Sequence, residues 1–349
     1  WFTDKFDDPA ITALARSLAA DRTFSRADML AVFQTVKTGG VSATELADLK
    51  TLVANATYLG MPGYVQNLAS KVVNGDPANA RFQGAALGNL RAGSTTQHLD
   101  NLVGKWFLGL DRPLFVATGV AYTRAAGTLF GTGPAYADVV QGQVSDCYFL
   151  ATLSEVAFRS PQSIRDSFID NGDGTYTVRF FNNGKADYVT VDRFLPTKTD
   201  GTLYFASKGR KASDTTVKLW VALYEKAYAQ LAESGWSRPG FIANNYESLR
   251  GGWEGSVVPQ IINRQARYTD IFNSTTTLNA IATAVQSGRM VWLDSKNTTA
   301  SGIVQNHVYV VTGYNAATQT FNTWNAWGYA QQLTWAQVAA NFYGYTVVV

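Results

Sequence analysis

The sequence predicts an α+β protein with a helical N-terminal domain, on three observations. Capping signals followed by apolar helical runs crowd residues 1–105. Two alternating runs at 175–181 and 186–195 are joined by Asn182-Asn183-Gly184, which reads as a β-hairpin. Residues 289–349 are mainly short β-branched and aromatic runs separated by Gly and Asn turns.

In order, Asp8-Pro9-Ala10 opens a helix through Leu18, with the proline at a tolerated early position. Ser25-Arg26-Ala27-Asp28 and Ser42-Ala43-Thr44-Glu45 are capping boxes for helices over 29–36 and 46–53. Their repetition resembles the halves of an EF-hand. Gln34, Val36 and Thr38 would hold the first ligand positions, however, and that set binds calcium poorly, so a small helical bundle is the expectation. Breaks at Gly60-Met61-Pro62-Gly63 and Asn74-Gly75-Asp76-Pro77 frame a helix over 64–73, and Gly93-Ser94-Thr95-Thr96 caps another through Val103. The Gly- and Ala-rich stretch 117–133 reads as a loop. Asp170-Asn171-Gly172-Asp173-Gly174 is a dense turn signal that needs no metal. Residues 217–231 form a strongly amphipathic helix and 276–287 another. Strands are expected over 290–293, 308–314, 321–324 and 345–349, with a Thr334-capped short helix through Val338.

Composition bounds the function. Apolar residues make up 46% and charged residues 16%, which describes an ordered globular chain rather than a disordered one. A net charge of +3 without a Lys/Arg run gives no nucleic-acid footprint. No stretch reaches the ~18–20 apolar residues of a membrane span. The sequence opens on Trp1, so a mature or trimmed form is expected. Low charge with abundant Asn, Thr, Gly and Ala suits a secreted or cell-surface bacterial protein better than a cytoplasmic one.

Chemistry concentrates at the single cysteine. Cys147 follows a glycine-containing turn and opens an apolar helix, a position where unpaired N–H groups and the helix dipole favour thiolate. Of the two histidines, His307 sits in a strand ending at Gly313, and Asn325 lies in the next aromatic strand. Pairing of those strands brings Asn325 beside His307, as a Cys–His–Asn site requires. Taken singly, a core cysteine, a core histidine and a strand-end asparagine account for the same residues.

Gln141-Gly142-x-x-x-Asp146-Cys147, then His307-x-Tyr309-x-Val311-Thr312-Gly313-Tyr314, then Asn325-x-Trp327-Gly328 resemble the protease core of the calpain family. Leu223-Tyr224-Glu225-Lys226-Ala227-Tyr228-Ala229 and Tyr246-Glu247-Ser248-Leu249-Arg250-Gly251-Gly252 resemble the segments between those blocks, so the likeness covers roughly residues 112–349. Departures are Ser145 and Asn306 for Gly, Tyr148 for Trp, and Ala326 for Pro. The resemblance implies a papain-like two-lobe core: residues 106–245 a helical lobe with the nucleophile, 246–349 a strand-rich lobe with His307 and Asn325. Residues 1–105 would be a possible pro- or regulatory segment. It implies a cysteine endopeptidase acting on protein or peptide substrates, with Gln141 and the Cys147 N–H as oxyanion donors and Trp327 shielding the His–Asn bond. Gly209 and the Asn306 backbone would pair with substrate main chain. No role falls to His98. Competing readings are a catalytically silent binding module and an acyl transferase of transglutaminase type, against which Asn325 in place of Asp speaks.

No cofactor and no metal site are expected. The family uses calcium to align its lobes, and Gly133 and Asp138 match its first site. Lys185, however, falls where an acidic ligand is needed, and no Asp or Glu follows Asp294.

Overall fold

The computed structural model describes residues 1–37 and 39–349; Thr38, one of the calcium-loop positions considered above, lies outside the described residues. The N-terminal part is a bundle of helices α1 (Phe2–Lys5), α2 (Pro9–Leu18), α3 (Arg26–Val36), α4 (Ala43–Ala54), α5 (Gly63–Val73) and α6 (Thr96–Trp106), with a minimal hairpin of β1 (Arg81–Phe82) and β2 (Ala85–Ala86) before α6. The caps are those the residues announce. Asp8 accepts from the Ile11 N–H, Ser25 and Ser42 each close a reciprocal capping box, and Thr95 accepts from the His98 N–H.

The bundle encloses its own apolar core of Phe24, Phe33, Leu52, Leu68, Trp106 and their neighbours. It docks on the rest of the chain through buried cations. Arg26 Nη2 lies 2.9 Å from an Asp173 oxygen, Lys71 Nζ 2.6 Å from Asp187, and Lys105 joins both Asp111 and, at 2.6 Å, Glu233.

A short strand β3 (Val120–Arg124) then precedes α7 (Cys147–Arg159) and α8 (Pro161–Arg165). Next come β4 (Phe168–Asp170), β5 (Thr175–Asn182), β6 (Lys185–Asp192), β7 (Phe194–Lys198), α9 (Trp220–Leu231) and α10 (Glu254–Ile262). β5 and β6 form the expected hairpin, with Asn183 and Gly184 both at positive φ in its tight turn.

Three local expectations are corrected. The stretch expected as loop holds β3, which pairs antiparallel with β7 from Val120–Lys198 to Arg124–Phe194. The run 186–195 is two strands, because the chain turns at Arg193, whose carbonyl accepts the Ala125 N–H at 2.9 Å. The helix expected from 217 starts at Trp220, since Thr128 exchanges backbone hydrogen bonds with Val217 and Leu219 at 3.0 and 2.8 Å. In each case a pairing with a distant segment outweighs the local pattern.

The last part is an antiparallel six-stranded sheet made by β8 (Ala266–Asp270), β9 (Val291–Ser295), β10 (Val308–Asn315), β11 (Thr320–Asn325), β12 (Tyr329–Thr334) and β13 (Phe342–Val348). Helices α11 (Thr275–Gln286) and α12 (Trp335–Asn341) complete it, and the strand order is β12-β11-β10-β9-β13-β8. One face of the sheet packs on α11 around Ile281, Leu293, Val311 and Phe321. The other meets α7 and α10, with Trp292, Val308 and Val310 joining the core of α7 and α9. Helix α10 packs on α7 and β5, against the cysteine-bearing half. The whole is a mixed α+β chain with N-terminal helices leading into a helix-and-sheet body. Among the described residues no helix is long and apolar enough to cross a membrane.

Candidate active site

A cavity of about 680 Å³ opens where the N-terminus of α7 meets the ends of β9, β10 and β11. Cys147, Gln141, His307, Asn306 and Trp327 all line it, whereas none of the described residues among 1–105 does.

The helical wall is built by the loop 141–146. Gly142 has to be glycine, since a Cβ there would fall 2.2 Å from the Phe205 backbone. That contact lets the loop lie flat on its neighbour. The Gln141 N–H donates to the Ala326 carbonyl at 2.6 Å, tying the loop to the turn after β11 across the cleft. The Gln141 side-chain N–H₂ donates to the Val144 carbonyl at 2.8 Å, and its Oε1 is buried without a partner.

Cys147 is the first residue of α7 and is half-buried. The Val308 N–H is directed at its sulfur. Burial nevertheless pushes the thiol up to about 12, and the neighbouring Asp146 and Glu254 carboxyls add to the rise. In this arrangement desolvation outweighs the helix N-terminus that was expected to favour thiolate.

The opposite wall explains its own geometry. Tyr309 pairs with Asn325 across β10 and β11, and His307 stands just before β10. His307 Nε2 therefore lies 2.8 Å from Asn325 Oδ1. The amide is oriented unambiguously: Oδ1 also accepts the Trp327 N–H at 2.8 Å, and Nδ2 donates to the Tyr329 hydroxyl at 2.9 Å. With Oδ1 an acceptor, the neutral imidazole carries its hydrogen on Nε2 and leaves Nδ1 as the free lone pair. Burial holds the ring down to about 4, opposed by its bond to Asn325. Neutral thiol and neutral imidazole are thus the resting forms at neutral pH. Among the described residues no hydrogen bond joins the sulfur to the ring.

Ser295 clamps the histidine backbone, its hydroxyl accepting the His307 N–H and its own N–H donating to the His307 carbonyl, both at 2.9 Å. The Trp327 ring, 53% exposed, stands with its centroid 5.3 Å from the imidazole. Asn306 takes φ +47°, a left-handed conformation that suits glycine and, next best, asparagine. Its N–H goes to the Lys296 carbonyl at 3.0 Å.

Two sequence assignments land elsewhere. Gly209 does not line the cavity; it sits on an exposed turn at φ +82°. Gly251 and Gly252 stand in the lining, the former donating its N–H to the Ser145 carbonyl at 2.8 Å. Lys185 lies exposed at the hairpin turn, away from Gly133 and Asp138. The ammonium there belongs to Lys218, whose Nζ donates to the Gly133 carbonyl at 2.8 Å and to Asp138 at 2.9 Å.

The sequence reading passed over a buried acid pair beneath the loop. Asp146 is fully buried beside Glu225 of α9, which accepts the Ala206 N–H at 3.0 Å. Burial raises both carboxyls, so a proton is held between them. Asp146 in the Cys147 block and Glu225 on an apolar helix were the available signals.

Comparison with known proteins converges on one family. The family model described as calpain family cysteine protease matches residues 122–339. Calpain clp-1 of Caenorhabditis elegans is 26% identical over 217 residues, covering 56% of this chain and 25% of that protein. The calpain-type cysteine protease ADL1 of Oryza sativa subsp. japonica is 35% identical over 154 residues, 43% of this chain and 6% of its own length. The calpain-2 catalytic subunit of Homo sapiens is 29% identical over 195 residues, 52% and 25% respectively. The chain therefore spans a quarter or less of the length of these relatives.

Proposed function

The chain belongs to the calpain family of cysteine proteases, and from that premise we propose that it is an endopeptidase of papain-like, two-lobed design. The observation that carries the reading is the His307–Asn325–Trp327 arrangement facing a helix-N-terminal cysteine across one cavity. As Cys147 Sγ attacks the peptide carbonyl, its proton passes to His307 Nδ1, and the imidazolium then protonates the leaving amine. Water, deprotonated by the same nitrogen, releases the acyl group. Asn325 keeps the ring in the productive tautomer, and the Trp327 indole covers that bond.

The oxyanion is met by the Cys147 N–H and by the second N–H of the Gln141 amide, each donor worth ~2.7–4 kcal/mol. Substrate main chain pairs with the Asn306 carbonyl on one lip and with the Gly251 segment on the other, Gly251 taking the part expected of Gly209, which does not line the cavity. Backbone pairing needs an extended strand, so substrates are loops, linkers and unfolded chains. Residues 1–105 dock away from the cleft, which favours a scaffold over a plug.

The core works without calcium. Lys218 puts a positive charge against the Gly133 carbonyl and the Asp138 carboxylate, so these residues do not fit a divalent cation. The strand lobe after Asp294 has no carboxylate to offer.

The test is intact-mass measurement after a thiol-directed epoxysuccinyl inhibitor, together with casein digestion. A single adduct on Cys147 and casein cleavage abolished by Cys147→Ala are expected. An unreactive thiol and intact casein would leave a silent binding module instead.

A further inference from the structure

A second pair of carboxyls in the cleft is left idle by this chemistry. Asp294 on β9 pairs with Val308 of β10, one residue beyond His307, and lines the same cavity as Cys147. Behind it lies Glu254, the first residue of α10, with 0% exposure. The groups against Glu254 are neutral, the Thr346 hydroxyl and the Trp253 indole, together with Asp294 itself, and no cation among the described residues reaches either carboxyl. Among the described residues neither carboxyl makes an ion pair.

Several other buried carboxylates of this chain carry a cation of its own, Asp111 and Glu233 with Lys105, Asp187 with Lys71, Asp192 with Lys226, and the Asp146–Glu225 pair, which like this one has none, does not line the cavity. Burial, and for Asp294 the Glu254 carboxylate as well, raises both groups above the ordinary carboxylate range, so the pair retains a proton. The other titratable groups against it are Cys147, whose thiol Glu254 pushes up, and Tyr268 of β8, and neither adds positive charge. His307 next to it is kept neutral by burial, and Arg250 in the same lining is paired with Glu247 at 2.9 Å.

Two carboxyls with no counter-cation in the wall of a substrate cleft are an arrangement that a ligand cation completes. We infer that this wall is a subsite for a basic substrate side chain, Lys or Arg, with Asp294 meeting the cation and Glu254 supporting it from behind. The inference rests on reading the cavity as a substrate cleft. An entering ammonium or guanidinium takes the place of the proton held by the pair, which leaves to solvent. A neutral side chain has no such exchange to make, and an acidic one meets like charge.

The experiment has two arms. Peptides carrying Arg, Lys, Leu or Glu at each position around the scissile bond are assayed for cleavage by the full chain, and the same peptides are titrated calorimetrically into the Cys147→Ala chain. At one position the Arg or Lys peptide is expected to exceed the Leu peptide by about tenfold or more. In Asp294→Asn that ratio collapses toward one, and in Glu254→Gln it falls in the same direction. Thermal melts identify any variant that fails to fold, and the wild-type profile stands without either. Preference for Leu at every position, or a basic preference that survives both substitutions, overturns the subsite. Absence of cleavage with a basic preference still seen in the titration, and lost when Asp294→Asn is added, overturns the protease reading and keeps the subsite.

Discussion

Asn325 Oδ1 stands 2.8 Å from His307 Nε2 and accepts the Trp327 N–H at the same distance, so one amide oxygen orients the imidazole while a backbone donor orients the amide. Ring orientation is thereby determined by main chain, not by the side chain alone. Asn325→Ala is expected to reduce kcat/KM at least about tenfold, but less than loss of the base itself, because the Ser295 clamp on the His307 backbone persists. Steady-state kinetics on one fluorogenic peptide measures it; a loss equal to that of His307→Ala would give Asn325 a larger part.

The two histidines make an internal control. His307→Ala should abolish peptide hydrolysis. His98→Ala should leave it unchanged, since His98 caps a bundle turn through the Gly88 carbonyl at 2.9 Å and lies outside the cavity. Activity in His307→Ala would remove the base assignment.

Gln141 already spends one amide hydrogen on the Val144 carbonyl. Only its second can reach an oxyanion, which exists after attack and not before. Gln141→Ala should therefore lower kcat by about 10²–10³ with little change in KM. A raised KM with kcat intact would make Gln141 a substrate-binding residue and move the oxyanion hole to other donors.

Lys218 offers a test of the metal-free core. Cleavage measured in excess chelator should equal that across a calcium titration. Lys218→Met should lower stability by about 2 kcal/mol, leaving Asp138 with the Trp220 indole N–H at 2.9 Å but no counter-charge. Activity that disappears with chelator and returns at micromolar calcium would refute the reading.

Glu155 makes stability depend on pH. It is buried on α7, and desolvation raises it to about 8 against the partial relief of Arg159 and the Val291 N–H. Between the ordinary carboxylate value and 8 the folded state holds a proton that the unfolded state has lost, so stability is greatest at low pH and declines as pH rises through 8. His307, lowered to about 4, has the opposite sign and removes stability only as pH falls from 6.5 toward 4. Glu155→Gln should flatten the falling limb of a melting-temperature profile between the ordinary carboxylate range and pH 8, where its share is on the order of 1 kcal/mol per pH unit, and leave the profile above 8 unchanged. A profile identical to wild type would assign that limb to other groups.

The sequence by itself determined the helical bundle, the 175–192 hairpin and the strand that follows His307, because capping boxes, an Asn-Gly turn and period-two alternation are local signals that folding leaves intact. It also singled out Cys147, His307 and Gln141, which the fold gathers at one cavity, and Asn325, which is buried against His307. Tertiary structure alone decided the rest. β3 exists because β7 is there to pair with it, and residues 217–219 leave their helix to bond Thr128. Gly251 rather than Gly209 faces the cleft, and Lys218 rather than Lys185 meets Asp138, since which residues of distant segments meet is set by packing. Burial, likewise invisible along the chain, raised the thiol of Cys147 and left Asp294 and Glu254 sharing a proton without a cation. Desolvation depends on what surrounds a group in space, and sequence spacing carries almost none of that.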